Sequence, residues 1–483
     1  MKLTTRQVFT IVLFLGIFLL TFRPVTDPDF WWHLRTGQWI VESRQIPFTD
    51  PFSYTRYGSP WITHEWLSEI LIFLAYKAGG FTFLMLLFSL IITAAFATAY
   101  LRTPPGSRPY TAGFVVLLGA AGSNPLWGVR PQMITLLFFS LFLSLLDRFN
   151  RSRKIGDLIP LPLLMVLWVN VHGGYILGLA AIGVYIAGNA FDLLWKRVRH
   201  RESDKVLETS TLLLIGAFLL TTLAALVNPN GVKILLYPFQ TLTDPSMQQY
   251  IQEWQSPDFS QSMWIPFALM ILFLSYTGLR GGRSQSTTQT FLLLIFLYMG
   301  LRDMRNIPLF TIVAIPVIAN QLDALITIQP STTPATRRSS LLNGALIFLA
   351  LVAVVARFFQ QAGIRESEII KNYPVQAVNW IQENRPGGRI FNSYNWGGYL
   401  IWRLYPEYLV FIDGRADVYG SSFLSDYKGI STIKPGWQEE FARYDIATVL
   451  IEPNSVMANV LRQSSNWQIS YEDQTSVIFS MNH

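Results

Sequence analysis

Long apolar runs recur along the first three-quarters of the chain, separated by short polar loops. A helix needs about 20 apolar residues to cross a hydrocarbon core about 30 Å thick, and many of the runs approach that length. The pattern predicts eleven spans, near residues 8–22, 81–101, 109–123, 131–147, 157–171, 174–195, 209–227, 264–280, 288–302, 307–326 and 341–359. The segment 66–77 is shorter and contains Glu69 and Lys77, so we place it along the membrane interface. If this segment does span, two of the other runs must be divided differently, and the number could reach thirteen.

Basic residues cluster in alternate loops, which predicts the orientation of the chain. They concentrate near residues 102–108, 148–154, 196–205, 280–283 and 337–338. Short cytoplasmic loops are enriched in Lys and Arg, so these loops face the cytoplasm and the N-terminus lies inside. No small-residue cleavage site follows the first apolar run, which we therefore interpret as an uncleaved first span. The loop 24–80 and everything after residue 360 then lie outside the plasma (inner) membrane.

After residue 365 the composition changes to that of a soluble α/β domain. Residues 375–384 have a helical pattern, and residues 389–392, 408–412 and 447–451 are apolar enough to form short buried strands. We therefore predict a polytopic α-helical membrane protein with a membrane domain at 1–360 and a small C-terminal α/β domain at 361–483 on the outer face.

Composition supports this fold class and excludes several functions. Of the 483 residues 51% are hydrophobic and 14% are charged, and the mean hydropathy is +0.33. The absence of cysteine excludes disulfides, thiolate nucleophiles and cysteine metal sites. The net charge is +7, but the tail from 361 to 483 has 10 basic and 13 acidic residues, so the excess lies in the membrane part. The lipid bilayer is the expected partner, and nucleic acid is not.

Ionisable residues concentrate in the loop after the first span. Residues 26–66 contain the six that carry candidate chemistry, namely Asp27, Asp29, His33, Asp50, His64 and Glu65. Asp27 precedes Pro28, so one interpretation is that it caps a helix that extends from Pro28 to about Ser43. Capping does not explain Asp29, His33, Arg35 or the adjacent pair His64 and Glu65. Polar residues gathered between apolar segments at a membrane face more often line a site.

Further polar groups lie at helix ends that the predicted threading places on the same outer face. They include Arg130, Asn170, His172, Asn228, Arg302 and Arg305. Capping or snorkelling accounts for each one singly, whereas their convergence on one face favours a shared site. In the tail, Asp413-Gly414-Arg415 after an apolar run is equally a structural turn with an ion pair. The functional alternative is that Trp396, Tyr399, Asp413 and Arg415 contact a substrate.

The sequence from Asp27 to Arg35, Asp-Pro-Asp-Phe-Trp-Trp-His-Leu-Arg, resembles the first outer loop of the GT-C superfamily of polyprenyl-phosphate-dependent glycosyltransferases. That superfamily includes oligosaccharyltransferase catalytic subunits and protein O-mannosyltransferases. The layout of spans, first loop and outer C-terminal domain is similar too. Residues 395–401 followed by Asp413 resemble the Trp-Trp-Asp-Tyr-Gly region of oligosaccharyltransferases. Glycine here replaces the aspartate that holds the acceptor hydroxyl in those enzymes.

The resemblance implies an inverting transfer of a sugar from a polyprenyl-phosphate donor to a glycan, lipid or protein acceptor. Asp27 or Asp29 would then be the catalytic base, with Asp27 favoured by its position after the first span. Positive charge on the departing phosphate would come from Arg130, Arg302 and Arg305 or from a divalent metal, Mg or Mn. The remaining candidates for binding substrate, positioning the base or holding that metal are His33, Arg35, His64, Glu65, His172, Trp396, Tyr399, Asp413 and Arg415.

Two other classes of protein remain as alternatives. A transporter or flippase would need ionisable groups at mid-membrane and inverted repeats, and neither is evident in the sequence. A noncatalytic membrane scaffold would tolerate loss of the first-loop carboxylates, which this chain retains.

Overall fold

The structure is a computed structural model that describes residues 3–200, 202, 204–243, 251–280, 283, 285–326 and 337–482. Of the basic residues used above to orient the chain, Arg201 and the side chains of Arg337 and Arg338 lie outside this description. The chain is mostly helical and ends in a small sheet.

The described helices, in chain order, are α1 Thr5–Leu20, α2 Phe30–Ser43, α3 Trp66–Leu101, α4 Pro109–Ser123, α5 Pro131–Ser152, α6 Pro160–Val171, α7 Ile176–Val198, α8 Lys205–Ala225, α9 Lys233–Thr243, α10 Ile265–Leu279, α11 Thr287–Arg302, α12 Ile307–Leu325, α13 Arg337–Asn372, α14 Val375–Asn384, α15 Gly397–Leu404, α16 Ala416–Ser431, α17 Trp437–Arg443 and α18 Val456–Arg462.

Each of the eleven predicted apolar runs coincides with one of these helices. Within the described part of the chain, seven helical segments are long and apolar enough to cross a membrane. Three shorter apolar segments accompany them, Thr5–Leu20, Ile155–Val171 and Thr287–Arg302. The prediction of a polytopic α-helical membrane protein is confirmed.

Helix α3 contains both the predicted interfacial segment and the span that follows it. Its helical geometry is interrupted at Gly79 and Gly80. Gly80 has φ +60° and ψ −155°, a conformation that a residue with a β-carbon adopts only with strain. The two parts of α3 are therefore helices joined at a kink, and the Gly-Gly pair sets its position.

Contacts divide the chain into two compact units. The first comprises residues 1–23, 85–238 and 252–361 and holds most of the apolar helices. The second comprises residues 24–84, 239–251 and 362–483. The first loop thus belongs to the same unit as the C-terminal sheet, although the two are distant in sequence.

The first unit is built around α12. Its side chains from Ile307 to Ala319 are all buried, so this helix lies at the centre of the apolar bundle. Arg102 is buried there beside the half-buried Asp147: the Arg102 Nε donates to Asp147 at 2.9 Å, and its Nη1 donates to the Ile312 carbonyl at 2.8 Å. A buried charge is costly unless it is paired. These contacts therefore explain why Arg102 is stable in the bundle, and no bound ligand is needed to explain it.

The second unit contains a four-stranded sheet. Its strands are β1 Arg389–Asn392, β2 Ile446–Ile451, β3 Trp467–Glu472 and β4 Val477–Met481. The order is β1-β2-β4-β3, with β1 parallel to β2 and the other neighbours antiparallel. The predicted strands at 389–392 and 447–451 and the helix at 375–384 are confirmed, whereas β3 and β4 were not predicted.

The predicted strand at 408–412 is wrong. The Val410 N–H donates to the Phe52 carbonyl at 3.1 Å, and the Tyr54 N–H donates to the Val410 carbonyl at 3.1 Å. The apolar run is therefore buried against the first loop by an isolated bridge and does not join the sheet. Apolarity alone does not distinguish these two ways of being buried.

Candidate active site

The chain enters α2 through a turn built on Asp27. The Asp27 carboxylate accepts the Asp29 N–H at 2.9 Å, and its carbonyl accepts the Phe30 N–H at 3.2 Å. Asp27 is buried, with 8% of its surface exposed. Helix α2 begins at Phe30, two residues after the predicted start. The carboxylate therefore stabilises the turn before the helix, and its second oxygen, Oδ2, is also buried.

Asp29 is half-buried and its carboxylate is fixed by two neighbours. It accepts a hydrogen bond from the Trp32 indole N–H at 3.2 Å. It also lies against Gly414, where an added β-carbon would overlap the Asp29 carboxylate. Glycine in the Asp413-Gly414-Arg415 sequence thus makes room for a first-loop aspartate, a reason that the local sequence does not reveal.

Three buried side chains meet where α2 faces the start of α3. The His33 Nδ1 lies 3.5 Å from Glu65 Oε2 and 3.6 Å from Glu69 Oε1. Glu65 directly precedes α3 and its carbonyl accepts the Glu69 N–H at 3.0 Å, so the two glutamates lie one helical turn apart. The His64 Nε2 lies 3.3 Å from the other oxygen of Glu65. We call His33, Glu65 and Glu69 the histidine–glutamate cluster.

The close approach of α2 to α3 depends on Gly37. A β-carbon at this position would overlap the backbone carbonyl of Glu69 and crowd the Phe73 side chain. His33 and Gly37 are four residues apart and therefore share a face of α2. Because Gly37 has no side chain, α2 can approach α3 closely enough to bring His33 to the two carboxylates.

The two histidines differ in electrostatic environment. Burial lowers the pKa of His33 to about 4, although the Glu65 charge acts in the opposite direction. His33 is therefore a neutral imidazole near pH 7. Burial would also lower the pKa of His64, but the charge of Glu65 and its hydrogen bond outweigh this and raise that pKa above its ordinary value. Glu65 thus has one neutral and one more basic imidazole beside it.

Asp413 and Arg415 form a fully buried network with a first-loop aspartate. The Arg415 guanidinium donates to Asp50 at 2.7 Å and to both oxygens of Asp413 at 2.8 and 2.6 Å. The Tyr419 hydroxyl donates to Asp413 at 2.6 Å. The guanidinium also lies 4.7 Å from the centre of the Trp61 ring. These contacts support the structural interpretation of the turn, because every charge in it has a partner.

Trp396 and Tyr399 are buried beside α2. The Trp396 indole N–H donates to the Asn372 carbonyl at 3.1 Å, and the Tyr399 hydroxyl accepts from Arg403 at 2.7 Å. The Tyr399 ring packs edge-on against Trp31 at 5.1 Å. Next to them is an open cleft of about 680 Å³, lined among others by Thr26, Pro28, Tyr373, Trp396, Glu452 and Asn454.

Arg35 is directed to another part of the second unit. Its guanidinium donates to the Tyr405 carbonyl at 3.2 Å and to Gln38 at 2.8 Å, and lies 4.9 Å from the Tyr405 ring centre. The structure therefore separates Arg35 from the histidine–glutamate cluster, although only one residue stands between it and His33.

In the first unit, three predicted phosphate-binding arginines surround the segment 252–256. Arg130 forms an ion pair with Glu253, and the Arg305 guanidinium lies 4.4 Å from the Trp254 ring centre. The carbonyl of Arg302 accepts from the Ser256 hydroxyl at 3.1 Å. Three arginines and the two carboxylates paired with them, Glu253 and Asp303, leave one net positive charge around this segment, which suits an anionic group.

His172 is bound into a buried hydrogen-bonded group in the same unit. Its Nδ1 lies 2.8 Å from the Thr135 hydroxyl and accepts the Gly174 N–H at 2.9 Å. The Trp168 indole N–H donates to the same hydroxyl at 2.8 Å. These bonds connect α5 to the end of α6, so His172 has a structural use in addition to its predicted role.

From the sequence, Glu69 was not identified as a site residue, and Asp50 was identified as a candidate but without its partner. An acid within an apolar helix is by default a functional hypothesis, so Glu69 was identifiable. The pairing of Asp50 with Arg415 depends on contacts over 365 residues, and no local pattern predicts it.

The likeness of this chain to known proteins lies in its fold and not in its sequence. No family model matches the sequence, and no curated relative matches it. The structure is similar to ArnT from Cupriavidus metallidurans bound to undecaprenyl phosphate, with a TM-score of 0.55 and 13% identity, covering 98% of this chain and 97% of that one. It is also similar to the apo oligosaccharyltransferase of Archaeoglobus fulgidus, with a TM-score of 0.55 and 11% identity, covering 92% of this chain and 70% of that one. The chain has the fold of these two membrane proteins.

Proposed function

We propose that this membrane protein transfers a sugar from a polyprenyl-phosphate donor to an acceptor at the outer membrane face. The observation that carries the proposal is the likeness in fold, along nearly the whole chain, to ArnT bound to undecaprenyl phosphate. The distribution of basic loops supports a cytoplasmic N-terminus and an outer position for the first loop and the C-terminal residues.

The first-loop carboxylates fit the acid–base requirement of such a transfer. A base must deprotonate the acceptor nucleophile while the sugar leaves its phosphate, and direct displacement inverts the anomeric centre. Asp27 is our preferred base, since it directly follows the first span and its hydrogen bond from the Asp29 N–H orients the carboxylate. Asp29 bonds to Trp32 and packs on Gly414, so its carboxylate has less freedom to approach an acceptor.

The arginines around segment 252–256 fit the departing phosphate. Arg130, Arg302 and Arg305 together carry one more charge than the Glu253 and Asp303 carboxylates paired with them. A phosphate gains charge-assisted hydrogen bonds from guanidinium groups, which bind its oxygens in pairs. Positive charge that stabilises the leaving phosphate dianion more than it stabilises the bound donor lowers the barrier to transfer.

The cleft beside Trp396 is the candidate site for the acceptor. It has room for a small polar group and combines aromatic residues with amides and charged groups at its rim. Pro28, on its wall, adjoins Asp27 in the chain, so a bound hydroxyl would lie near the preferred base.

The proposal is tested by donor binding, which needs no knowledge of the acceptor. Purified full-length protein in detergent is titrated with undecaprenyl phosphate and, as a matched lipid, with phosphatidic acid, and binding is followed by native mass spectrometry. We expect saturable binding of undecaprenyl phosphate at least ten times tighter than that of phosphatidic acid.

A second arm uses membranes supplied with a panel of radiolabelled polyprenyl-phosphate sugars. Release of polyprenyl phosphate should exceed that of membranes without the protein for at least one donor. Equal affinity for the two lipids, with no release from any donor, would overturn the proposal and favour a transporter or scaffold with the same fold.

A further inference from the structure

We infer that the histidine–glutamate cluster is a binding site for one divalent transition metal ion of the zinc type. One ligand atom from each of His33, Glu65 and Glu69 lies within 4.8 Å of the others. The two separations from His33 Nδ1 are 3.5 and 3.6 Å. Ligands bound to zinc at about 2.0–2.1 Å in a tetrahedron lie about 3.3 Å apart, so the two distances from His33 are close to the value that a shared zinc ion requires.

The burial of Glu69 without hydrogen-bond partners is a second, independent reason to infer a metal site. Glu69 is completely buried, and among the described residues neither of its carboxylate oxygens has a hydrogen-bond partner. The same holds for His33 Nδ1, which points at that carboxylate. A buried carboxyl group without partners is unfavourable unless it is protonated or bound to a cation. A metal ion would bind both unpartnered groups at once.

The other charged groups near the cluster do not replace a metal. The charge of Arg415 acts on Glu69, but the Arg415 guanidinium is already bound to Asp50 and Asp413. His64 binds the Glu65 oxygen that faces away from His33 and so orients this carboxylate. Metal ligands are usually held by such an outer partner.

The ligand types decide which metal is expected. Imidazole suits zinc and its neighbours in the transition series, whereas magnesium prefers an octahedral shell of oxygen atoms with several waters. Catalytic zinc sites have three protein ligands and an open fourth position, and this cluster supplies three ligands, one of them an imidazole. We therefore expect zinc to bind here more tightly than the Mg or Mn expected from the resemblance.

This inference does not depend on the proposed sugar transfer, because metal binding is measured without a donor or acceptor. Full-length protein with a histidine-free affinity tag is purified in detergent, stripped with a chelator and incubated with zinc. Metal content is then measured by mass spectrometry after gel filtration. We expect about one zinc per chain, and at least a tenfold loss of affinity in His33→Gln and Glu69→Gln.

Matched controls are His200→Gln and Glu439→Gln, which change an exposed histidine and an exposed glutamate. Both should keep the zinc content of the natural chain. Cobalt loading gives a second readout on the natural protein alone: a tetrahedral site should produce intense visible absorption that zinc abolishes.

The alternative is a protonated Glu69 with no metal. In that case the natural chain would contain no zinc above the level of the two cluster variants, cobalt would give no such absorption, and Glu69→Gln would unfold at the same temperature as the natural chain. That combination would overturn the inference even if His33→Gln failed to fold. Zinc retained by both cluster variants would overturn it too.

Discussion

Gly37 lies against the backbone of Glu69, so closely that a methyl group on residue 37 would overlap the Glu69 carbonyl. This contact joins α2 to α3 and determines how near His33 comes to the two carboxylates. A glycine in the middle of a helix normally costs about 1 kcal/mol relative to alanine. Here it allows two helices to pack where any side chain would separate them.

Gly37→Ala should therefore destabilise the protein, although alanine is the better helix former. Overpacking typically costs about 1–3 kcal/mol, which outweighs the gain in helix propensity. The measurement is the midpoint of thermal unfolding in detergent, with zinc affinity measured in parallel. The matched control is Gly16→Ala in α1, where an added β-carbon meets nothing within 4 Å. An unchanged or raised midpoint for Gly37→Ala would show that α2 and α3 can separate without cost.

Arg415→Met should be strongly destabilising, because it leaves the buried carboxylates of Asp50 and Asp413 without their cation. Removing one partner from a buried ion pair costs about 3–5 kcal/mol. The readout is the urea midpoint, followed by tryptophan fluorescence in detergent.

The control for that variant is Arg462→Met, which removes a partly exposed ion pair with Glu472. Pairs of this kind contribute about 0–1 kcal/mol. If the two variants lose the same amount of stability, the buried network around Arg415 has no special weight in the fold.

Asp27→Asn should reduce the rate of sugar transfer about 10² to 10⁴-fold, the usual contribution of a general base. An asparagine side-chain oxygen can still accept the Asp29 N–H, so the turn before α2 should persist. The affinity of this variant for undecaprenyl phosphate should stay within a factor of about two of the natural value, since the proposed phosphate site does not include Asp27. Asp29→Asn should lose less activity, and Glu439→Gln none. Equal activity of Asp27→Asn and the natural chain would exclude Asp27 as the base.

Arg305→Gln should weaken binding of undecaprenyl phosphate at least tenfold. Hydrogen bonds to charged groups contribute about 1.5–3 kcal/mol, and 1.4 kcal/mol corresponds to a factor of ten. The affinity of the natural chain should also fall with salt more steeply than that of the variant. Arg283→Gln removes an exposed arginine bonded to Asn320 and serves as the control. Equal losses for both variants would indicate a general effect of charge on lipid binding.

The eleven apolar helices could be predicted from the sequence. A membrane span is encoded by a continuous apolar run, because the bilayer requires apolar side chains and internal backbone hydrogen bonds over its whole thickness. The kink of α3 was also marked locally, by the pair Gly79 and Gly80. The α/β character of the tail followed from periodicity, and the concentration of acids and histidines identified the first loop as the place for chemistry.

Only the tertiary structure decided which of these groups meet. Val410 pairs with the first loop and not with the sheet, since an apolar strand pattern does not specify its partner. Asp50 binds Arg415 across most of the chain, and Glu69 meets His33 because Gly37 brings two helices together. Such contacts depend on long-range packing, which no local pattern records. Hydrophobicity is a property of one segment, whereas a site is a property of several segments brought together.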